Sequence, residues 1–130
     1  MSKSEDKIAK ILKDYRIFYK REYTFPDLLH KGKLLRFDFA IILPNKPIVL
    51  LEYDSEIHFQ QVSFFHKKRE DFKRAQERDR IKNKYCLLKG IKLIRIPYWE
   101  LENLDIEKIF CTPEFIVRNK YHNDLLCPPH

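Results

Sequence analysis

Five side chains in this sequence combine acid–base or metal-binding chemistry with positions in or beside apolar runs. They are Asp38, Glu52, Asp54, His58 and Asp79. Burying a carboxylate without a partner is costly, so an acid at an apolar strand predicts a cation or a hydrogen-bond donor beside it. In a chain rich in lysine and arginine, the carboxylates indicate a divalent metal and the positive charges indicate a phosphodiester partner.

The charge of the chain is unevenly distributed. The net charge is +7, yet residues 38–60 contain one lysine against four acidic residues. The flanking segments, 1–37 and 61–90, each contain ten lysines and arginines. An acidic window between basic flanks suits a nuclease, in which basic surfaces collect phosphate and the acids bind metal. The alternative is a solvated basic surface around a structural acid cluster, and charge alone leaves both interpretations open.

Length and composition predict one intracellular domain spanning residues 1–130. Hydrophobic residues make up 44% of the chain, which is typical of a globular protein. No apolar run is long enough to span a membrane, and the first residues lack the apolar core of a secretion signal. We therefore expect no membrane partner and no secretion. Reduced thiols are expected at Cys86, Cys111 and Cys127, which are far apart in the sequence.

Apolar periodicity and turn residues predict the elements that must position these side chains. A helix is expected over residues 4–14, and a strand or extended arm over residues 17–25 that Pro26 ends. Strands over residues 34–43 and 48–53 are expected to form an antiparallel hairpin.

A long basic helix is predicted over residues 66–88, with Gly90 at its C-terminal end and a further strand over residues 91–96. The expected inward residues of this helix are Phe72, Ala75, Ile81 and Tyr85. A helical crossover between two strands implies parallel pairing, so the prediction is an α/β fold with a mixed sheet flanked by helices. A helical extension is expected over about 101–130, with short helices near 105–110 and 113–120.

Four motifs along the chain resemble those of one nuclease family. They are Leu35–Ala40, Leu51–Asp54 leading to His58, Glu77–Cys86 and Gly90–Tyr98. Together they resemble the PD-(D/E)XK-fold endonucleases, and more closely the branch of very-short-patch-repair endonucleases and phage homing endonucleases with an EDxHD signature. The resemblance covers roughly residues 4–100. It implies a restriction-endonuclease-like core that hydrolyses DNA with Mg²⁺ or Mn²⁺.

The resemblance also assigns roles to residues. The signature maps onto Glu5, Asp38, a position near Glu52 or Tyr53, His58 and Asp79, with Asp38 expected at the end of the first hairpin strand. Asp38 and Glu52 are the expected metal ligands. His58 would act as general base for the attacking water or as general acid for the leaving oxygen. Asp79 would orient His58 or bind a metal-held water, and Glu5 would have an outer role.

The lysine of the PD-(D/E)XK motif is absent, because Asp54 stands where it is expected after Glu52. Lys82, on the following helix, is expected to substitute for it in space. The residues expected to bind DNA and to neutralise phosphate charge are Arg78, Arg80, Lys82, Lys67 and Lys68.

Each of these acids also has a structural interpretation. The alternatives are that Asp38 pairs with Arg36, that Glu52 and Asp54 are solvated strand-end acids, that Asp79 pairs with Lys82 on the helix surface, and that Glu5 favours the N-terminus of its helix. His58 is alternatively an ordinary loop histidine.

The function has alternatives as well. The chain is predicted to be a metal-dependent DNA endonuclease, of the phage homing or nicking kind. A nucleic-acid-binding protein that keeps the fold without turnover is the alternative from a different class, and a nuclease specific for branched DNA is a third. A monomer with one site would nick DNA, whereas a homodimer would cut both strands.

Overall fold

The structure of the protein, a computed structural model, describes residues 3–55 and 66–110. In chain order the elements are α1 (Lys3–Asp14), β1 (Phe18–His30), β2 (Lys33–Ile42), β3 (Val49–Asp54), α2 (His66–Lys89), β4 (Lys92–Pro97), a 3₁₀ turn (Tyr98–Glu100) and α3 (Ile106–Phe110). The predicted short helix near 105–110 is confirmed, and the one predicted over 113–120 lies outside the described residues.

The four strands form one mixed sheet in the order β1-β2-β3-β4. β1 pairs with β2 and β2 pairs with β3, both antiparallel, whereas β3 and β4 are parallel. Helix α2 makes the crossover that parallel pairing requires. The predicted α/β fold with a mixed sheet and flanking helices is confirmed. This order of elements is compatible with a restriction-endonuclease-like core.

Each face of the sheet carries an apolar core. On one face, Ile8 and Leu12 of α1 pack against strand residues that include Phe39 and Leu51. On the other face, Leu50 and Leu93 pack with Cys86 of α2, the thiol being fully buried. Burial in this apolar setting raises the pKa of the Cys86 thiol to about 12, so it stays protonated and unreactive.

Helix α2 buries a face that is only partly apolar. Phe72 and Ala75 are buried as predicted, whereas Ile81 and Tyr85 are half-buried. Polar side chains complete the buried face, namely Asp79 and Asn83. The helix ends at a C-terminal Gly90 with a φ of 69°, a left-handed conformation that glycine adopts at low cost, and this prediction is confirmed.

Strand β1 is longer than predicted. It continues through Pro26 to His30, with a change of register between Thr24 and Leu29. The expectation that Pro26 ends the strand is therefore wrong. β1 is an edge strand, where the missing N–H of proline removes no necessary bond of the sheet, and the register change absorbs the local irregularity.

A tight turn joins β1 to β2. His30 pairs with Lys33, and the two residues between them, Lys31 and Gly32, have φ values of 52° and 75°. Two successive left-handed residues are the mark of a type I′ turn, whose twist matches that of the flanking strands. The tip of this hairpin is therefore closely defined.

Among the helices of residues 3–55 and 66–110, none is long and apolar enough to cross a membrane.

Candidate functional site

The candidate site lies where β2 and β3 separate. The antiparallel pairing of β2 with β3 ends at Phe39 and Leu51. Beyond that pair, the backbone N–H of Tyr53 donates a hydrogen bond to Oδ2 of Asp38 at 2.7 Å. A side-chain carboxylate thus takes the N–H that a backbone carbonyl would accept in a continuous ladder. Asp38 lies inside β2, so its predicted place at the strand end is wrong.

The strands β1 and β2 change faces at this point. Phe37 packs on the α2 side of the sheet, whereas Phe39, two residues later, packs on the α1 side. A regular strand would keep both on one face, because side chains alternate with a period of two. In the register of the ladder, Glu22 lies opposite Asp38 and has a φ of 50°. This irregularity directs Asp38 toward β3.

Asp38 and Glu52 form a carboxyl pair at the point where β2 and β3 separate. Burial, the charge of Glu52 and a hydrogen bond with Glu52 raise the pKa of Asp38 from 3.8 to about 9, while the N–H of Tyr53 acts in the opposite direction. Near neutral pH the Asp38 carboxyl therefore keeps its proton and lies hydrogen-bonded to Glu52, since two adjacent carboxylates with little solvent cannot both ionise. A divalent cation would replace that proton and relieve the repulsion.

Lys82 of α2 completes the pair. Its Nζ lies 2.6 Å from Oε1 of Glu52, and both side chains are largely buried. The same ammonium lies 5.4 Å from the centre of the Phe37 ring, on whose face a cation is attracted. Lys82, which the sequence analysis expected to stand in for a strand lysine, thus lies beside Glu52; its role stays a prediction. Glu52 is 5% exposed, so its interpretation as a solvated acid is wrong.

A second polar cluster lies beside the first, on the same face. Arg95 of β4 is fully buried, and its Nη1 lies 2.7 Å from Oδ1 of Asp54 and 3.4 Å from Oδ1 of Asp79. Its Nε donates to Oδ1 of Asn83 at 2.9 Å. Asp54 is therefore not a solvated acid, and Asp79 does not pair with Lys82 on the helix surface; both of these alternatives are wrong.

Glu5 is linked to the site through α1 and β1. Nη2 of Arg21 lies 3.4 Å from Oε1 of Glu5, and Nη1 of Arg21 lies 3.1 Å from Oδ1 of Asp6. The charge of Glu5 also contributes to the raised pKa of Asp38. Glu5 therefore lies near enough to act on the carboxyl pair, besides being placed favourably in the first turn of its helix.

The predicted basic residues fall into different places. Arg78 and Lys82 line a groove of about 500 Å³ between α2 and the β1–β2 hairpin, together with Asp38. Arg80 is exposed. It is two residues away from both Arg78 and Lys82 in the sequence, so it lies on another side of the helix. Arg36 pairs with Glu22, at 3.6 Å, rather than with Asp38. The side chains of Lys67 and Lys68 lie outside the described part of the chain, as does His58, whose role stays a prediction.

The donor set suits magnesium. Within residues 3–55 and 66–110, no group of three or more His, Cys, Asp or Glu side chains is arranged to hold a metal. Mg²⁺ does not need such a cage, because proteins commonly hold it by one or two carboxylates, with waters and a substrate phosphate filling the other positions. The pair formed by Asp38 and Glu52 offers two such carboxyl groups.

Sequence reasoning missed Arg95 and Asn83. Arg95 stands in an apolar run, between Ile94 and Ile96, in the way that Asp38 stands in its own run. A lone charged residue in such a run predicts a buried partner of opposite charge. For Arg95, this pattern indicates Asp54 or Asp79 as the buried partner. Nothing in the sequence around Asn83 distinguishes it from a surface residue of a basic helix.

Comparison with known proteins found two similar viral sequences. The chain is 45% identical over 49 residues to "Uncharacterized protein 094L" of Frog virus 3 (isolate Goorha), which covers 37% of this chain and 32% of that protein. It is 35% identical over 78 residues to "Uncharacterized protein 307L" of Invertebrate iridescent virus 6, covering 56% of this chain and 40% of that protein. The chain thus spans well under half the length of these relatives. No protein-family model and no solved structure matches it.

Proposed function

We propose that this protein is a magnesium-dependent endodeoxyribonuclease that hydrolyses phosphodiester bonds. The observation that supports the proposal most is the hydrogen-bonded pair of Asp38 and Glu52, with the Lys82 ammonium 2.6 Å from Glu52, beside a basic groove. Hard oxygen donors, a nearby cation and a phosphate-attracting surface are the parts that such hydrolysis needs.

Asp38 and Glu52 would hold the metal, which supplies charge stabilisation to a phosphate in the transition state. In the hydrolysis a water oxygen forms a bond to phosphorus and the P–O3′ bond breaks, leaving a 5′-phosphate and a 3′-hydroxyl. The water gives up one proton and the leaving oxygen gains one. His58 is the proposed group for one of these transfers.

Lys82 has a defined task in this proposal. Its ammonium neutralises Glu52 in the free protein and lies at the end of the groove that Asp38 also lines. Negative charge that develops on the phosphate would be stabilised by this fixed cation at little reorganisation cost. Arg78, about one turn earlier on the same side of α2, would hold the adjoining part of the strand.

The test is cleavage of supercoiled plasmid in Mg²⁺, Mn²⁺ or EDTA. We expect nicking that requires metal and is lost in Asp38→Ala and in His58→Ala. Asp14→Ala is the matched control, since Asp14 is exposed and pairs with nearby Lys10 on α1. Cleavage that persists in Asp38→Ala, or that EDTA leaves intact, would refute the proposal. Linear product besides nicked circles would indicate the proposed homodimer.

A DNA-binding protein without turnover is the second candidate. The supporting observation is that Lys82 already neutralises Glu52, so the site is charge-balanced without a metal. In this case plasmid stays intact under all metal conditions. Salt-sensitive DNA binding would survive Asp38→Ala and His58→Ala, and it would weaken when Arg78, Arg80 or Lys82 is replaced.

A further inference from the structure

The groove beside the carboxyl pair has two basic walls. Its lining includes six lysines and arginines against two acidic residues, Glu22 and Asp38. The basic residues are Lys31, Lys33, Arg36, Arg74, Arg78 and Lys82. Such a concentration of positive charge along a concave surface attracts a polyanion and raises its local concentration.

The first wall is a row of cations on α2. Arg74, Arg78 and Lys82 follow one another at intervals of four residues, which places them on one side of the helix about 6 Å apart along its axis. The last of them contacts Glu52. The row therefore leads along the helix to the carboxyl pair, and evenly spaced cations of this kind suit successive phosphates of one strand.

The second wall is the tip of the β1–β2 hairpin. The type I′ turn fixes Lys31 and Lys33 beside the groove, and neither has a carboxylate partner among the residues that the structure describes. Nε2 of His30 lies 3.6 Å from Oε1 of Glu77, so the tip lies close to α2.

The size of the groove favours one strand over two. Its volume is about 500 Å³, in the range of sites that enclose a small ligand rather than a double helix. Leu35 and Phe37 lie buried beneath the groove, between the two walls. A single backbone presents the regularly spaced charge that two such walls can contact.

We propose that this groove binds the phosphodiester backbone of single-stranded DNA and leads it to Asp38 and Glu52. The choice of DNA as ligand rests on the proposed function. The proposal adds that the substrate of the site contains an unpaired strand, as a flap, a gap or a branched junction does, and that Lys31 and Lys33 recognise it.

The test measures binding without cleavage. A short fluorescein-labelled single strand and a duplex of the same sequence are titrated with the full chain in EDTA, and binding is followed by fluorescence anisotropy. We expect the single strand to bind more tightly than the duplex. Lys31→Ala/Lys33→Ala should weaken single-strand binding roughly tenfold, because two charge-assisted contacts are lost. The slope of log K against log salt should fall by about 1.4, since each phosphate contact contributes about 0.7 on single strands.

The matched control is Lys20→Ala/Lys84→Ala. Both lysines are exposed and lie outside the groove, and the double variant has the same net charge as the groove variant. We expect its single-strand affinity to equal that of the unmodified protein. Equal losses in the two double variants, or a duplex bound as tightly as the single strand, would overturn the proposal. Because the readout is binding in EDTA, plasmid cleavage tests the nuclease separately, and either result stands without the other.

Discussion

Replacing Asp38 by asparagine should make the protein more stable at neutral pH. The raised pKa of Asp38, about 9 against 3.8 in an unperturbed side chain, means that the folded protein binds a proton that the unfolded chain releases. Stability from this group is complete below about pH 4 and is lost as pH rises toward about 9. The free energy of unfolding should fall by about 1.4 kcal/mol per pH unit in this window, or on the order of 4 kcal/mol from about pH 4 to pH 7.

Asparagine avoids this loss and keeps the geometry. Its oxygen accepts the N–H of Tyr53, and its amide donates to Glu52 in place of the Asp38 proton. Urea unfolding followed by circular dichroism, from about pH 5 to pH 9 in EDTA, measures the effect. We expect Asp38→Asn to be the more stable protein throughout, by a margin that widens with pH. Asp14→Asn, at an exposed aspartate, should unfold like the unmodified protein.

Magnesium supplies the complementary measurement. Because the metal would displace the Asp38 proton, its stabilising effect on the unmodified protein should grow with pH, reaching about 2.7 kcal/mol when its concentration is about a hundred times the dissociation constant. Asp38→Asn should show no such effect. Equal pH dependence of the two proteins in EDTA would refute the account of the carboxyl pair, and equal stabilisation by Mg²⁺ would refute its role in metal binding.

Two further substitutions test the cations of the site. Arg95→Met should cost roughly 3–5 kcal/mol of unfolding free energy, because two buried aspartates lose their cation. This loss should be smaller in acid, where the two aspartates are protonated. An unchanged urea midpoint at neutral pH would contradict the prediction. Lys82→Ala should slow plasmid nicking roughly 100-fold or more if the ammonium stabilises the transition state, whereas Lys84→Ala, on the exposed side of the same helix, should nick at the normal rate; equal rates in the two variants would remove Lys82 from the mechanism.

The sequence predicts the order of elements well because apolar periodicity and turn residues are local signals. It predicts the parallel pairing of β3 with β4 through the connection rule alone. It fails where a tertiary contact overrides the local pattern. Pro26 is tolerated within a strand because that strand lies at the sheet edge. Asp38 lies inside its strand because the pairing of β2 with β1 continues past it to Lys33.

The burial pattern of α2 shows the same limit more clearly. Apolar spacing favours Ile81 and Tyr85 as inward residues, yet the fully buried positions include Asp79 and Asn83. These side chains are inward because Arg95 is on the facing strand, and the sequence of the helix carries no trace of that partner. The contact of Lys82 with Glu52 was expected from the resemblance alone and not from any local pattern of the helix.

The buried polar contacts of α2, made by Asp79, Lys82 and Asn83, also fix the position of the helix along its own axis. A shift by three residues, about 4.5 Å, would bring Lys82 to the place of Asp79 beside Arg95 and set two cations together. A shift the other way would bring Asp79 toward Glu52 and set two anions together. Apolar side chains exchange neighbours of similar shape with little penalty, whereas these charges distinguish one register from the next. Arg74, Arg78 and Lys82 are therefore held at fixed positions along the groove. Their spacing in turn fixes the positions of the groups that they can bind there.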